Sequence, residues 1–282
     1  MKDLSPIYNE EKLVHYANLK TLSQEDLSKE LEKACDKNDA EKVKYLLESK
    51  ELYIRPNING AESTKEYDEH PIIKICTIGN LELLDYILTL PSLKVKFKNL
   101  EDQLSRGLVR ACEKNHLELI KYILTSPRIE THANINYRDD EALSWACTYG
   151  NLEVVKYLLT SPELKKHADI NCRNGEPIFE ACWHNHMHVV SYLLTSPELQ
   201  EHADVHINTD FVTISAITGE NLELIKFLIF DVKIKQTENI KSVLEKVKNQ
   251  TIIDWFKLRD LNNSLENELD KKEENIIRKI KL

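Results

Sequence analysis

The chain is poor in glycine. Six glycines are scattered through 282 residues, and no run of them forms the loop that cradles a phosphate group, so nucleotide chemistry of that kind has no basis in the sequence. Long apolar runs are also missing. The longest fall far short of the ~20 residues needed to cross a bilayer, which points away from a membrane. The first residues, MKDLSPIYNEEKL, contain no apolar signal core, so Sec-type export is not expected. An excess of basic charge is absent too: the net charge is −9 with 30% charged residues. A nucleic-acid partner held by a basic face is therefore not expected.

What the chain does contain is repetition. Ala146–Asn171 reads ACTYGNLEVVKYLLTSPELKKHADIN, and edited copies begin at Ala111 (ACEKNHLELIKYILTSPRIETHANIN) and Ala181 (ACWHNHMHVVSYLLTSPELQEHADVH). Weaker copies begin at Ala34, Ile75 and Ala216, and the successive starts are 41, 36, 35, 35 and 35 residues apart. A period in this range means stacked supersecondary units sharing a continuous core, not one closed domain.

Within each unit the spacing predicts a helix, a tight turn and a second helix. Ser23 opens the first helix with a capping-box-like S-Q-E-D, and Leu27, Leu31 and Ala34 follow at helical spacing. The turns fall at Asn38-Asp39, Gly79-Asn80, Asn115-His116, Gly150-Asn151 and Asn185-His186, where Gly and Asn tolerate the positive φ of a helix stop. The second helix carries an apolar face such as Val154, Val155, Leu158 and Leu159. Next comes Thr160-Ser161-Pro162-Glu163-Leu164, matched at Ser126-Pro127 and Ser196-Pro197 and altered at Leu90-Pro91. Ser as cap with Pro at the first position predicts an extra helical turn. His-Ala-Asp-Ile-Asn then leads into the next repeat.

Five of the six cysteines, Cys35, Cys76, Cys112, Cys147 and Cys182, occupy one repeat position. Equivalent positions in neighbouring repeats lie about 8–10 Å apart, too far for a disulfide, which needs Cα atoms within about 7 Å. They read as small apolar packing residues and as free thiols of a reducing compartment.

These residues resemble the ankyrin repeat family. Gly175-Glu176-Pro177-Ile178-Phe179-Glu180-Ala181-Cys182 is similar to the first half of its pattern. Gly150-Asn151-Leu152-Glu153-Val154-Val155-Lys156-Tyr157-Leu158-Leu159 is similar to the second, and Ala168-Asp169-Ile170-Asn171 to the A-D-V-N junction. The long SPEL-type inserts are similar to ankyrin proteins of bacteria and their viruses. The family's T-P-L-H turn survives only in shape, at His70-Pro71-Ile72-Ile73, Arg106-Gly107-Leu108-Val109 and Glu141-Ala142-Leu143-Ser144. Short or irregular fingers are therefore expected. The resemblance implies an all-α ankyrin-repeat solenoid of about six helix-turn-helix repeats with helical caps at both ends. Residues 1–24 form the N-terminal cap segment, with Leu13, Tyr16, Ala17 and Leu19 along one helix face. Residues 25–231 form the array, with repeats near 25–60, 69–102, 103–137, 138–172, 173–207 and 208–235. A polar insertion falls between Arg55 and Glu69. Residues 236–282 form a helical cap and charged tail. In the cap, Ile240, Val243, Leu244 and Val247 mark one helix, and Ile252, Ile253, Trp255, Phe256 and Leu258 another. The tail residues Leu261, Leu265, Leu269, Ile276 and Ile280 extend the cap or offer a dimerising helix. The tail's basic residues Lys271, Lys272, Arg278, Lys279 and Lys281, diluted by Glu273 and Glu274, read as a solvated face.

The resemblance further implies a protein–protein interaction module without catalysis. Two residues after each small pair face the concave groove: Asp36 and Lys37, Thr77 and Ile78, Glu113 and Lys114, Thr148 and Tyr149, Trp183 and His184, and Thr218 and Gly219. Of these, Glu113, Lys114, Thr148, Tyr149, Trp183 and His184, with Trp145, form the candidate partner-binding set. Tyr149 and Trp183 are the anchors, supported by Trp145 and Phe179, because Tyr and Trp dominate interface energetics. The alternative is that these rings pack on the links of their own repeats. No cofactor or metal is expected. His132, His167 and His202 lie 35 residues apart, too distant to share an ion whose ligands sit about 2 Å away, and are read as substitutes for a glycine at positive φ. The cluster Cys182-Trp183-His184-Asn185-His186-Met187-His188 is the one candidate for a metal or enzymatic alternative. The overall expectation is a cytoplasmic monomer binding another protein as adaptor or inhibitor. A secreted or injected effector, or a homo-oligomer through 261–282, are the competing readings.

Overall fold

The computed structural model describes residues 16–59, 70–93, 97–205, 211–233, 242–245 and 247–264. Among these the structure is all-α, without strands, and the helices come in six pairs. They are α1 (Gln24–Asp36) with α2 (Ala40–Glu48), α3 (Pro71–Ile78) with α4 (Leu81–Thr89), and α5 (Leu100–Glu113) with α6 (Leu117–Thr125). Then follow α7 (Glu141–Thr148) with α8 (Leu152–Thr160), α9 (Cys172–Trp183) with α10 (Met187–Thr195), and α11 (Phe211–Thr218) with α12 (Leu222–Lys226). The chain forms two compact units, Met1–Asp169 and Ile170–Leu282. In the first, the odd-numbered helices α1, α3, α5 and α7 stack in one row while each even-numbered helix packs on its own partner; in the second, α9 stacks on α11.

The core is built as the periodicity predicts. Leu31, Cys35, Val43 and Leu46 of the first pair are fully buried, as are Ile72, Ile75, Leu84 and Ile87 of the second. Burying one such aliphatic side chain stabilises by about 1.5–3 kcal/mol. All six cysteines are buried and unbridged. Gly107 lies on α5 where α3 comes closest, and a Cβ there would stand 2.6 Å from Cys76 Sγ. At Cys76 the cysteine ladder thus lies where neighbouring helices approach closely.

The turn between paired helices is left-handed at one residue each time. Asn38 (φ 56°), Gly79 (81°), Asn115 (62°), Gly150 (71°), Asn185 (61°) and Glu220 (55°) hold this position. The next residue is the N-cap of the second helix, and at Asn80, His116 and Asn151 its side chain reaches the preceding repeat. Asn80 Nδ2 donates to Asn38 Oδ1 at 2.6 Å, and Asn151 Nδ2 to Cys112 O at 2.7 Å. The His116 ring lies 3.0 Å from Thr77 O through Nε2.

Two sequence expectations are overturned in the link. The Ser-Pro segment is one hydrogen-bonded turn, not a helix: Ser161 is followed by a turn at Pro162-Glu163, closed by Leu164 N donating to Ser161 O at 3.2 Å. The helix does not propagate because the chain is pulled back to its own repeat, Ala168 N donating to Leu158 O at 3.0 Å. The histidines are not glycine substitutes, since none of the three has positive φ. Their rings fasten the turn instead. The Nε2 atoms of His132, His167 and His202 lie 2.9 Å from the carbonyls of Ser126, Ser161 and Ser196, each six residues earlier. Each of these three links is therefore a turn clipped by an imidazole.

The finger region is irregular, as expected, and its form is specific. Arg138, Asp139 and Asp140 are successively left-handed (φ 49°, 58° and 59°), as are Arg173, Asn174 and Gly175 in the next repeat (51°, 58° and 78°). Right-handed helix in α9 therefore begins only at Glu176. Left-handed residues without glycine cost about 1–2 kcal/mol each, and the loop is held by side chains that reward it. Asn134 N donates to Ser105 Oγ at 2.8 Å, and Asn136 Nδ2 to the buried Asp140 carboxylate.

At the ends, Ser23 caps α1 by accepting from Asp26 N at 3.1 Å. It is preceded by a 3-10 turn, Ala17–Thr21, that buries Tyr16 and Leu19 but leaves Ala17 exposed, while Leu13 lies outside the described residues. In the second unit, α12 relaxes into a π-helical turn, Phe227–Asp231. The amphipathic helix expected at Ile240–Val247 is helical only over 242–244 among the described residues. A last helix, α13 (250–264), buries Ile252 and Phe256 but exposes Leu258, against expectation. Residues 60–69 of the polar insertion and 265–282 of the tail, with its basic residues, lie outside the described residues, and Leu261, at the start of the tail, is exposed.

Candidate protein-binding face

The odd-numbered helices end at the turn, so the residues just before it sit at the rim of the stacked row. In the first unit this places Glu113 and Lys114 at the end of α5 beside Thr148 and Tyr149 at the end of α7. Tyr149 is the C-cap of α7, with φ −98° and ψ 2°, and is 47% exposed. Trp145 stands one helical turn earlier, and the two rings stack with centroids 5.9 Å apart at 26°. Lys114 Nζ sits 5.8 Å from the centre of the Tyr149 ring, within cation–π range. Lys114 Nζ also pairs with Glu113 at 2.7 Å, and Arg110 Nη1 pairs with the same carboxylate at 2.9 Å. Burial opposes ionisation of Glu113, yet the hydrogen bonds from Lys114 and Arg110 outweigh it and hold its pKa below the usual value. The bond to Glu113 raises the Lys114 pKa in return. Thr148 turns inward: its hydroxyl donates to Ser144 O at 2.9 Å.

Four of the expected residues, Glu113, Lys114, Trp145 and Tyr149, thus form one charged and aromatic cluster. The sequence reading missed what lies beside it. Arg106, Val109, Arg110, Tyr137, Arg138, Glu141 and Trp145 line an open cleft of about 210 Å³. Arg106 and Arg110 precede Lys114 at intervals of four, and that helical spacing was the available signal. Tyr137 and Arg138 belong to the left-handed finger, which carried none.

Trp183 and His184 belong to the second unit. Trp183 is 47% exposed and packs on Phe179, one turn earlier in α9, with ring centroids 6.0 Å apart. His184 Nε2 lies 3.5 Å from Glu180. The rings of His184, His186 and His188 follow in series with centroids 6.3 and 5.9 Å apart. Cys182 faces the core, fully buried, and burial pushes its thiol pKa up, so it is no partner to these rings. Among the described residues no three His, Cys, Asp or Glu side chains converge on a point that would hold a metal. No helix among them is long and apolar enough to cross a membrane.

No curated protein matches the chain. A family model for ankyrin repeats matches it in three overlapping stretches, residues 72–173, 108–209 and 143–242. These span most of the described helix pairs, and the chain belongs to the ankyrin repeat family.

Proposed function

We propose that the chain binds a partner protein at the groove-side ends of its odd-numbered helices, acting as an adaptor or an inhibitor and carrying out no chemistry of its own. Ankyrin repeats are protein–protein interaction modules. The observation that carries the reading is the Trp145–Tyr149 stack with Lys114 over its outer ring. Two large rings held by an ordered neighbour lose little freedom on docking, which is how aromatic anchors contribute to interfaces. Trp183 on Phe179 supplies a similar anchor in the second unit. The buried thiols suit a reducing compartment such as the cytoplasm. The test is affinity capture from native lysate with wild type and a Tyr149→Ala/Trp183→Ala variant, the fold of each checked by circular dichroism. A partner held by wild type and lost by the folded variant supports the reading. A partner retained equally by both sinks it.

A further inference from the structure

The cleft beside the aromatic stack has a chemistry of its own. One wall carries Arg106 and Arg110 at successive turns of α5, and Lys114 continues their spacing beyond the cleft, over the Tyr149 ring. Trp145 of α7 lines the cleft with them, Tyr149 stacks on Trp145 beside it, and Tyr137 and Arg138 of the finger complete the lining. Arg106 Nε donates to Tyr137 Oη at 3.3 Å, and the Arg138 guanidinium lies 5.3 Å from the centre of the Tyr137 ring. The arginines are ordered by carboxylates. Arg106 meets Asp102 at 3.5 Å, Arg110 meets Glu113 at 2.9 Å, and Arg138 meets Glu141 at 3.7 Å. Of the charged residues that line the cleft, Arg106, Arg110 and Arg138 are cations and Glu141 is the one carboxylate, in a chain whose net charge is −9.

We propose that this cleft recognises a short acidic segment of the partner protein, one carboxylate side chain entering between Arg106, Arg110 and Arg138 while an adjacent apolar side chain lies on Trp145 and Tyr149. This deepens the function proposed above and rests on it. Three features select this occupant. A guanidinium fork matches a carboxylate in two parallel hydrogen bonds. The volume, about 210 Å³, holds one or two side chains and is smaller than the usual pocket for a small-molecule ligand. The carboxylates of Asp102, Glu113 and Glu141 disfavour a doubly charged phosphate more than a single carboxylate.

The experiment is selection of a displayed library of random linear peptides on the full-length chain, followed by titration of the selected peptides. The expected winners pair Asp or Glu with Leu, Ile, Phe or Tyr. Their Asn or Gln isosteres bind about tenfold more weakly or worse, the loss that accompanies one charge-assisted hydrogen bond. Arg106→Gln and Arg110→Gln each produce a comparable loss. Arg138→Gln, at a side chain 56% exposed and outside the buried core, gives a loss that survives any folding objection to the other two. Winners without acidic residues that are still lost on Tyr149→Ala overturn the acidic segment and leave the docking face standing. Winners indifferent to both Tyr149→Ala and the arginine variants overturn both. A requirement for phosphorylation of the peptide, or equal binding by a single-stranded oligonucleotide, also overturns the proposal.

Discussion

Replacing Gly79 with Asn tests how one repeat is fitted to the next. Gly79 occupies the left-handed position at φ 81°, and a Cβ there would lie 2.4 Å from Nδ1 of His116 and 2.5 Å from its Cε1. Asn tolerates the conformation itself: Asn38 and Asn115 hold the equivalent position at 56° and 62°. Those two residues are matched by a slimmer cap in the following repeat, Asn80 and Asn151, whose side chains reach back at 2.6 and 2.7 Å. Glycine stands where the following cap is the bulkier His116. In Gly79→Asn the imidazole must move, losing its bond to Thr77 O and its packing, with no change in backbone type. Overpacking of this kind costs about 1–3 kcal/mol. The double variant Gly79→Asn/His116→Asn recreates the Asn115–Asn151 arrangement and recovers most of that cost, a coupling of about 1 kcal/mol or more. Urea unfolding followed by circular dichroism reads both as midpoint changes at constant slope. A Gly79→Asn variant within about 0.5 kcal/mol of wild type, or single costs that simply add, would refute the fit.

Three further outcomes follow from the same geometry. His167→Ala removes the clip on the Ser161 carbonyl, but Leu164 N still donates to that oxygen, so the loss is a net hydrogen bond of about 1 kcal/mol rather than an orphaned group. His167→Gln, which carries a donor at similar reach, restores it, as differential unfolding and exchange of the Leu164 amide will show. Burial, aided by the Arg106 charge, lowers the His70 pKa from 6.5 to about 4. The neutral ring caps α3 by accepting from Ile72 N at 3.2 Å. Because the folded value is the lower one, stability is complete above pH 6.5 and falls between pH 6.5 and 4, by up to about 3 kcal/mol; His70→Asn, which keeps a cap but cannot titrate, flattens that interval. The buried thiols, with Cys35 and Cys76 pushed up to about 12, stay inert to a thiol-disulfide reagent in the folded chain and react in denaturant; rapid labelling of the native protein at neutral pH would contradict their placement.

Much of this fold is readable in the residues because its determinants are local. The helix pairs follow from apolar spacing, and the left-handed stops from Gly and Asn at the turns. The link was misread for a definite reason. Ser-Pro-Glu is a sound helix start by local preference, but the imidazole six residues on and the bond from Ala168 N to Leu158 O bend it into one turn. The left-handed run Arg138–Asp140 was illegible for a related cause, since its loop is held in part by Ser105 of the preceding helix, 29 residues from Asn134. The site divides similarly. Lys114, Trp145 and Tyr149 were found by register within the repeat. Arg106 and Arg110 share that helix face with Lys114, yet nothing in one repeat announces that the next repeat's finger will close over them.

The central claim is that partners dock on the groove-side ends of the odd-numbered helices. It is tested most directly by a photo-crosslinking amino acid placed at Trp145 and, separately, at Glu153, exposed on the even-numbered helix α8. Irradiation in native lysate should give a discrete adduct from position 145 and none from 153. The same adduct from both positions, or from 153 alone, would contradict the account.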